Sequence, residues 1–166
     1  TDALTDGKGE LVVRVWDPTD AGAQPRGKQV SRPEGIWYTP VSGIWQTVWM
    51  EPVPDAHITR VVCAPDIDKG ELEIVVDTAG PASGVFLTTP DGSGQYGAGK
   101  PGAPFRVKIP DAKLWTPETP HLNTIGIGVW AKRDDEPVEI VQTYYAKRKI
   151  SAAKDEHGVL RLMLNN

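Results

Sequence analysis

The stretch Glu71-Leu-Glu-Ile-Val-Val-Asp77 decides the fold, because apolar and acidic residues take turns along it. Side chains of an extended chain point alternately to its two faces, so Leu72, Ile74 and Val76 share one face and the acidic residues share the other. A second stretch, residues 104–109, repeats this pattern with basic residues. Its apolar residues are Phe105, Val107 and Ile109. Both stretches are therefore predicted to be β-strands with one buried face.

Further strand patterns continue outward from these two, at the spacing of a β-sandwich. Strands are predicted at residues 57–65, 71–77, 84–89, 104–109, 124–132 and 137–150. We find no apolar residues at helical spacing over three turns. The sequence thus predicts an all-β protein built on one immunoglobulin-like antiparallel β-sandwich.

The N-terminal third shows the same alternation in residues 10–17 and 44–51, which predicts an extra strand pair. Between them, residues 18–42 are rich in proline and glycine. A connection of this length without secondary structure is expected either to be functional or to pack against a part of the protein outside this chain. Trp45 and Trp49, like Trp130 near the end of a later strand, are expected to pack. Open strand edges invite pairing, so we expect the N-terminal strands to pair together, lie on the sandwich or form a homodimer.

Composition narrows the function classes. The 166 residues include 18 basic and 22 acidic ones in mixed order, and the net charge of −4 gives no basic surface for nucleic acid or a membrane. The basic residues of Lys147-Arg-Lys149 would point to alternate faces of a strand, which halves that patch. The single cysteine, Cys63, excludes an internal disulfide and is predicted to be a buried strand residue. We predict no cofactor, no metal, no nucleic-acid partner and no membrane partner.

Several short motifs have the spacing of a binding site but lack another feature that the site requires. Residues 92–97 have the glycine spacing of a dinucleotide fingerprint, but the prolines that follow exclude the helix this motif needs. Residues 94–100 resemble a phosphate loop, yet Pro101 stands where a hydroxyl must hold magnesium. The aspartates at Asp66, Asp68 and Asp91 are expected to make turns instead of binding calcium. With isolated histidines and no nucleophile elbow, no catalytic residues are predicted.

Four segments, in this order, resemble glycoside hydrolase family 2, which includes β-galactosidases, β-glucuronidases and β-mannosidases. Residues 10–17 are similar to the end of the family's sugar-binding jelly roll. Residues 42–51 resemble its Gly-Ile-[Trp/Phe]-Arg-x-Val segment, with Gln46 in place of Arg. Lys113-Leu-Trp-Thr-Pro-Glu-Thr-Pro-His-Leu122 is very similar to Leu-Trp-[Ser/Thr]-Pro-Glu-x-Pro-x-Leu-Tyr, with Asn123 for Tyr. Residues 146–150 and 162–165 resemble the lead into the catalytic barrel, with Ala146 where Gly is usual.

The resemblance implies a non-catalytic middle domain with parts of its neighbours. Residues 1–54 would be the end of the jelly roll, residues 55–150 the sandwich, and residues 151–166 the start of the barrel. The two catalytic glutamates of such retaining enzymes, about 5–5.5 Å apart, would lie on the barrel, outside this chain.

The resemblance also implies a place for the loop of residues 17–42. The loop would reach the sugar site of the whole enzyme through four residues. They are Asp17, Arg26, Trp37 and Tyr38. The expected partners are a carbohydrate, met only through the whole enzyme, and the neighbouring jelly-roll and barrel domains, in a periplasmic or extracellular setting. Two other interpretations stay open, a free-standing carbohydrate-binding module and an immunoglobulin-like interaction domain.

Overall fold

The computed structural model describes residues 8–132 and 136–166. Its contacts divide into two compact units, Thr1–Glu51 and Pro52–Asn166. Nine strands lie in the second unit, and no helix occurs in the described ranges. The strands are β1 His57–Asp66, β2 Glu71–Ala79, β3 Gly84–Thr88, β4 Gln95–Gly99, β5 Phe105–Lys108, β6 Asn123–Trp130, β7 Glu139–Tyr145, β8 Ile150–Lys154 and β9 Leu160–Leu164.

Seven strands form two antiparallel sheets. One sheet has the order β1-β2-β5 and the other the order β4-β3-β6-β7, so the chain changes sheet after β2, β4 and β5. These changes give an immunoglobulin-like sandwich in which the fourth strand lies beside the third. The predicted all-β antiparallel sandwich is confirmed.

A single apolar core lies between the two sheets. Leu72, Ile74 and Val76 on β2 are fully buried, as their alternation with charged residues predicts. The facing sheet contributes Tyr145 of β7 and five fully buried residues to the same cluster. The five are Val85, Leu87, Ile125, Ile127 and Val129. Burial of each such side chain contributes about 1.5–3 kcal/mol, so this cluster is the main source of stability.

The face of β3 and β6 that points away from this core carries two aromatic–glycine pairs. Phe86 lies opposite Gly128, and Trp130 lies opposite Gly84. A Cβ atom on Gly128 would come within 2.1 Å of the Phe86 Cζ, and one on Gly84 within 3.1 Å of the Trp130 Cε3. The two rings stack at 4.3 Å between centroids, which confirms that Trp130 packs.

The N-terminal unit departs from prediction. Residues 10–17 and 44–51 form no strand, and Trp45 and Trp49 are 87% and 73% exposed, so the expected strand pair and the expected packing of these two indoles are wrong. These segments form no strand because they lack a neighbouring strand to pair with. An extended segment needs a neighbour to receive its N–H and C=O groups, and neither segment has such a partner in the described part of this unit.

Three details of the second unit also differ from prediction. Residues 95–99, which lie outside the predicted strands, form β4 at the edge of the larger sheet. The single strand expected over residues 137–150 instead ends at Tyr145 as β7. A separate strand, β8, begins at Ile150 and pairs antiparallel with β9. Cys63 lies in β1 but is only half-buried, packed against the core, and burial raises the pKa of its thiol to about 11.

Candidate functional site

The loop of residues 17–42 is closed at its base by Asp17. Its carboxylate accepts a hydrogen bond from the Ser42 hydroxyl at 2.6 Å and another from the Thr19 amide at 2.7 Å. The Ser42 hydroxyl, and then the Thr19 amide, lower the pKa of Asp17. Thr19 has a left-handed backbone with φ 57°, which is uncommon for a β-branched residue. Asp17 is therefore a fixed carboxylate that ties together residues 25 positions apart.

The other three predicted residues lie between the two ends of this loop. Tyr38 forms a parallel bridge with Gln29, in which its amide donates to the Lys28 carbonyl at 2.8 Å. The Trp37 amide donates to the Glu34 carbonyl at 3.1 Å, which closes a backbone turn. The Arg26 guanidinium lies 5.7 Å from the centre of the Trp37 ring, within the range of a cation–π contact.

The structure thus brings Arg26 and Trp37 together and ties Asp17 to Ser42. Among the described residues, no hydrogen bond joins Asp17 to the other three. Trp37 is 39% exposed and Tyr38 64% exposed, so both rings are accessible. The chemistry offered is stacking and hydrogen bonding with a polar ligand, together with one carboxylate. The role of these residues beside a sugar stays a prediction.

A second cluster, here named the Trp115 junction, joins two of the segments that resemble family 2 in sequence. The Trp115 amide donates to the Lys147 carbonyl at 2.9 Å, next to a parallel bridge between Leu114 and Lys147. The Trp115 carbonyl accepts a hydrogen bond from the Asn165 side-chain amide, also at 2.9 Å. The Arg148 guanidinium lies 4.7 Å from the centre of the Trp115 ring. Both backbone groups and the ring of Trp115 are therefore held by residues 32 to 50 positions further along.

Two asparagine side chains complete the Trp115 junction by imitating backbone groups. The Asn165 carboxamide accepts from the Lys149 amide at 3.0 Å, while its own backbone amide donates to the Lys149 carbonyl at 2.8 Å. The buried Asn123 carboxamide pairs with both backbone groups of Lys113, at 2.8 and 2.9 Å. Sequence reasoning assigned no role to Asn165 and treated Asn123 only as a departure from the family pattern. An asparagine directly after an apolar strand only weakly indicates a side chain that hydrogen-bonds distant backbone groups, because asparagine is also common in turns, where it bonds the nearby backbone.

The aspartate and glycine motifs that the sequence analysis excluded as binding sites form turns and a strand. The Asp91 carboxylate accepts from the Thr89 hydroxyl at 2.6 Å and from the Ser93 amide at 3.1 Å, and the Thr89 contact does most to lower the pKa of Asp91 to about 2. Asp66 likewise accepts from the Asp68 and Lys69 amides. These are the predicted turns. The chain continues from the Asp91 turn into β4, where the dinucleotide motif would need a helix.

Within residues 8–132 and 136–166, no group of three or more His, Cys, Asp or Glu side chains is placed to hold a metal ion. In the same part of the chain, no helix is long and apolar enough to cross a membrane. His57 uses its ring Nδ1 in a 2.9 Å contact with the Pro54 carbonyl. Burial raises the pKa of Tyr145 to about 12, so this phenol stays protonated in the core.

No protein-family model matches the chain, and no curated protein does so. Among solved structures it is similar to β-glucuronidases from Faecalibacterium prausnitzii, Lactobacillus rhamnosus and Dictyoglomus thermophilum. The identities are 23%, 17% and 16%, and the TM-scores are 0.46, 0.46 and 0.44. Each match covers 68% of this chain but only 17% or 18% of the other one. The chain therefore spans less than a fifth of the length of these proteins.

Proposed function

We propose that this chain is the non-catalytic β-sandwich part of a protein similar to the family 2 glycoside hydrolases, which as a whole cleaves O-glycosidic bonds in carbohydrates. Its task is to hold a sugar-binding domain and a catalytic barrel in a fixed relation. The observation that carries the proposal is the Trp115 junction. Two separate segments that resemble the family in sequence are fastened to each other there, through Lys147 and Asn165.

A part that orients its neighbours needs a rigid end, because domains joined by a free linker move relative to one another by default. The last residues of this chain meet that need. Asn165 is held by three hydrogen bonds, and Asn166 donates to the Asp68 carboxylate at 2.8 Å. Lys149 reaches the same carboxylate at 2.5 Å. Residues 165 and 166 are thereby hydrogen-bonded to Trp115 and Asp68 of the second unit.

The direct test compares this chain with the product of the complete reading frame. The purified chain is expected to leave p-nitrophenyl β-glycosides intact, and the complete protein is expected to hydrolyse one of them. A barrel with paired glutamates should follow in the coding sequence. Turnover by the chain itself, free of contaminants, would overturn the proposal, as would a reading frame without a barrel.

The substrate-facing role of the loop is a separate part of the proposal. In the whole enzyme, Asp17 and Trp37 would line a sugar subsite, with Arg26 and Tyr38 beside them. Asp17→Ala in the complete protein should lower the rate of hydrolysis. Asp20→Ala is the matched control, since Asp20 is another carboxylate of this loop, hydrogen-bonded to Ser31. An unchanged rate for Asp17→Ala would refute the role.

The partners are also proposed. Besides the two neighbouring domains, the exposed apolar side chains of residues 10–17 and 44–51 suit a homodimer of the isolated chain. Sedimentation across a range of concentrations tests this. A monomer at every concentration would exclude the homodimer.

A further inference from the structure

The hairpin of β8 and β9 turns its most apolar face outward. Successive side chains of a strand point to opposite faces, and paired residues share a face. The apolar side chains of one face, here named the hairpin face, are Ile150, Ala152, Leu160, Leu162 and Leu164. All five are exposed, and Leu162 is 85% exposed. On the opposite face, Ser151 and Met163 are half-buried. The exposure of the two faces is thus the reverse of what the hydrophobic effect favours in an isolated chain.

The hairpin face is held in shape at both ends of the hairpin. At the open end, Asn165 bonds to both backbone groups of Lys149. At the turn, the Asp155 carboxylate accepts hydrogen bonds from the Val159 amide and the Arg161 guanidinium, both at 2.9 Å. A surface that is formed in advance loses little conformational entropy when a partner docks on it.

The hairpin also needs a partner for its own stability. In the described part of the chain, β8 and β9 form a separate two-stranded sheet, which is hydrogen-bonded to neither sheet of the sandwich. A two-stranded hairpin is at best marginally stable in water unless it packs its apolar face against another element. We therefore expect the hairpin face to be covered when the protein works.

The size of the hairpin face indicates which kind of partner covers it. A Leu or Ile side chain presents about 60–120 Å² of apolar surface, so the four large side chains offer at most about 500 Å². A stable complex of separate proteins takes about 800 Å² from each partner. Domains joined in one chain need less, about 600–1,500 Å² from both sides together, because the link between them keeps them close. The hairpin face therefore fits a contact between domains of one protein.

We infer that the hairpin face is the surface on which the catalytic barrel of the complete protein docks. The inference rests on the proposed function, in which the barrel follows this chain in the reading frame, and it adds the surface that holds the barrel. Lys154 lies on the same face, opposite Leu160. The barrel should therefore present apolar side chains and a carboxylate that pairs with Lys154. A second copy, docked face to face, would supply no carboxylate, because the strand positions of this face hold no acidic residue.

The test compares amide hydrogen exchange of β8 and β9 in this chain and in the complete protein. Docking should slow exchange of the paired amides about tenfold or more, because opening of the hairpin would then uncover the docked face as well. Ala152→Asp should abolish this slowing, since it buries a charge in the contact. Ala153→Asp is the matched control, because this neighbouring alanine is also exposed but lies on the other face, opposite Arg161. It should leave the slowing unchanged.

Both substitutions should leave the urea midpoint of this chain unchanged, because both alanines are exposed. Equal exchange in this chain and in the complete protein would overturn the inference, as would equal effects of the two substitutions. A dimer of this chain that Ala152→Asp alone dissociates would assign the face to a second copy and overturn it too. None of these results bears on hydrolysis by the complete protein, which tests the proposed function separately.

Discussion

The two units of this chain carry the same sequence pattern, but only one turns it into sheets. Residues 10–17 and residues 71–77 both alternate, and the second stretch becomes β2, at the centre of a three-stranded sheet. The first stays unpaired, with Leu11, Val12 and Trp16 exposed. Alternation thus specifies which face would be buried, and a neighbouring strand decides whether a strand forms.

The two regions should respond very differently to loss of a large apolar side chain. Leu72→Ala, in the core of the sandwich, should lower the free energy of unfolding by about 2–5 kcal/mol, because it leaves a cavity between the sheets. Trp45→Ala, at an exposed position of the first unit, should change it by less than about 0.5 kcal/mol. Urea unfolding of both variants measures this. Equal losses would mean that Trp45 is buried in solution.

A smaller loss of stability is expected when a methyl group is added at an aromatic–glycine pair on the outer face of the sandwich. Gly128→Ala should cost about 1–3 kcal/mol, because its Cβ would overlap the Phe86 ring. Adding Phe86→Leu should recover part of that loss, since a shorter side chain leaves room for the methyl group. Thermal unfolding of the single and double variants gives the coupling between them. Purely additive losses would show that the ring does not lie on Gly128.

The smallest effect concerns the Trp115 junction. Asn165→Ala should cost about 1 kcal/mol, since it removes the hydrogen bonds to the Trp115 carbonyl and the Lys149 amide. The Lys149 amide should then exchange with solvent faster. Asn166→Ala is the control, because its side chain contacts only exposed groups and its loss should cost less than about 0.5 kcal/mol. Unchanged exchange at Lys149 in Asn165→Ala would show that the junction is not held by this side chain.

The core of the fold could be read from the sequence because its strands are strongly patterned. β2 and β5 place charged residues between apolar ones, so their inward faces are unambiguous. β4 could not be found in this way, since its glycines give no pattern. They are needed because a Cβ on Gly97 or Gly99 would overlap Val107 or Phe105 of β5. Because β4 packs closely against β5, it carries glycines where apolar side chains would have shown a strand pattern, and the sequence therefore did not predict β4.

The candidate site shows the same limit. Sequence resemblance indicated Asp17 and Trp37. The structure ties Asp17 to Ser42 and brings Trp37 near Arg26, and their role beside a sugar stays a prediction. Asn165 stands in a segment that resembles the family, but its hydrogen bond to the Trp115 carbonyl could not be predicted, because the two residues lie 50 positions apart in the chain. Trp130 itself was expected only to pack. Its stacking on Phe86 confirms that expectation.

Amide hydrogen exchange of the whole chain tests the central claim most directly, namely that the sandwich is a stable body while the alternating N-terminal segments remain unpaired. Paired amides of β2, β3 and β6 should be the most protected, exchanging only on global unfolding, and amides of residues 10–17 and 44–51 should exchange almost freely. Protection of alternate amides in residues 10–17 at the level of β2 would contradict the account, because it would show a strand where the structure has none.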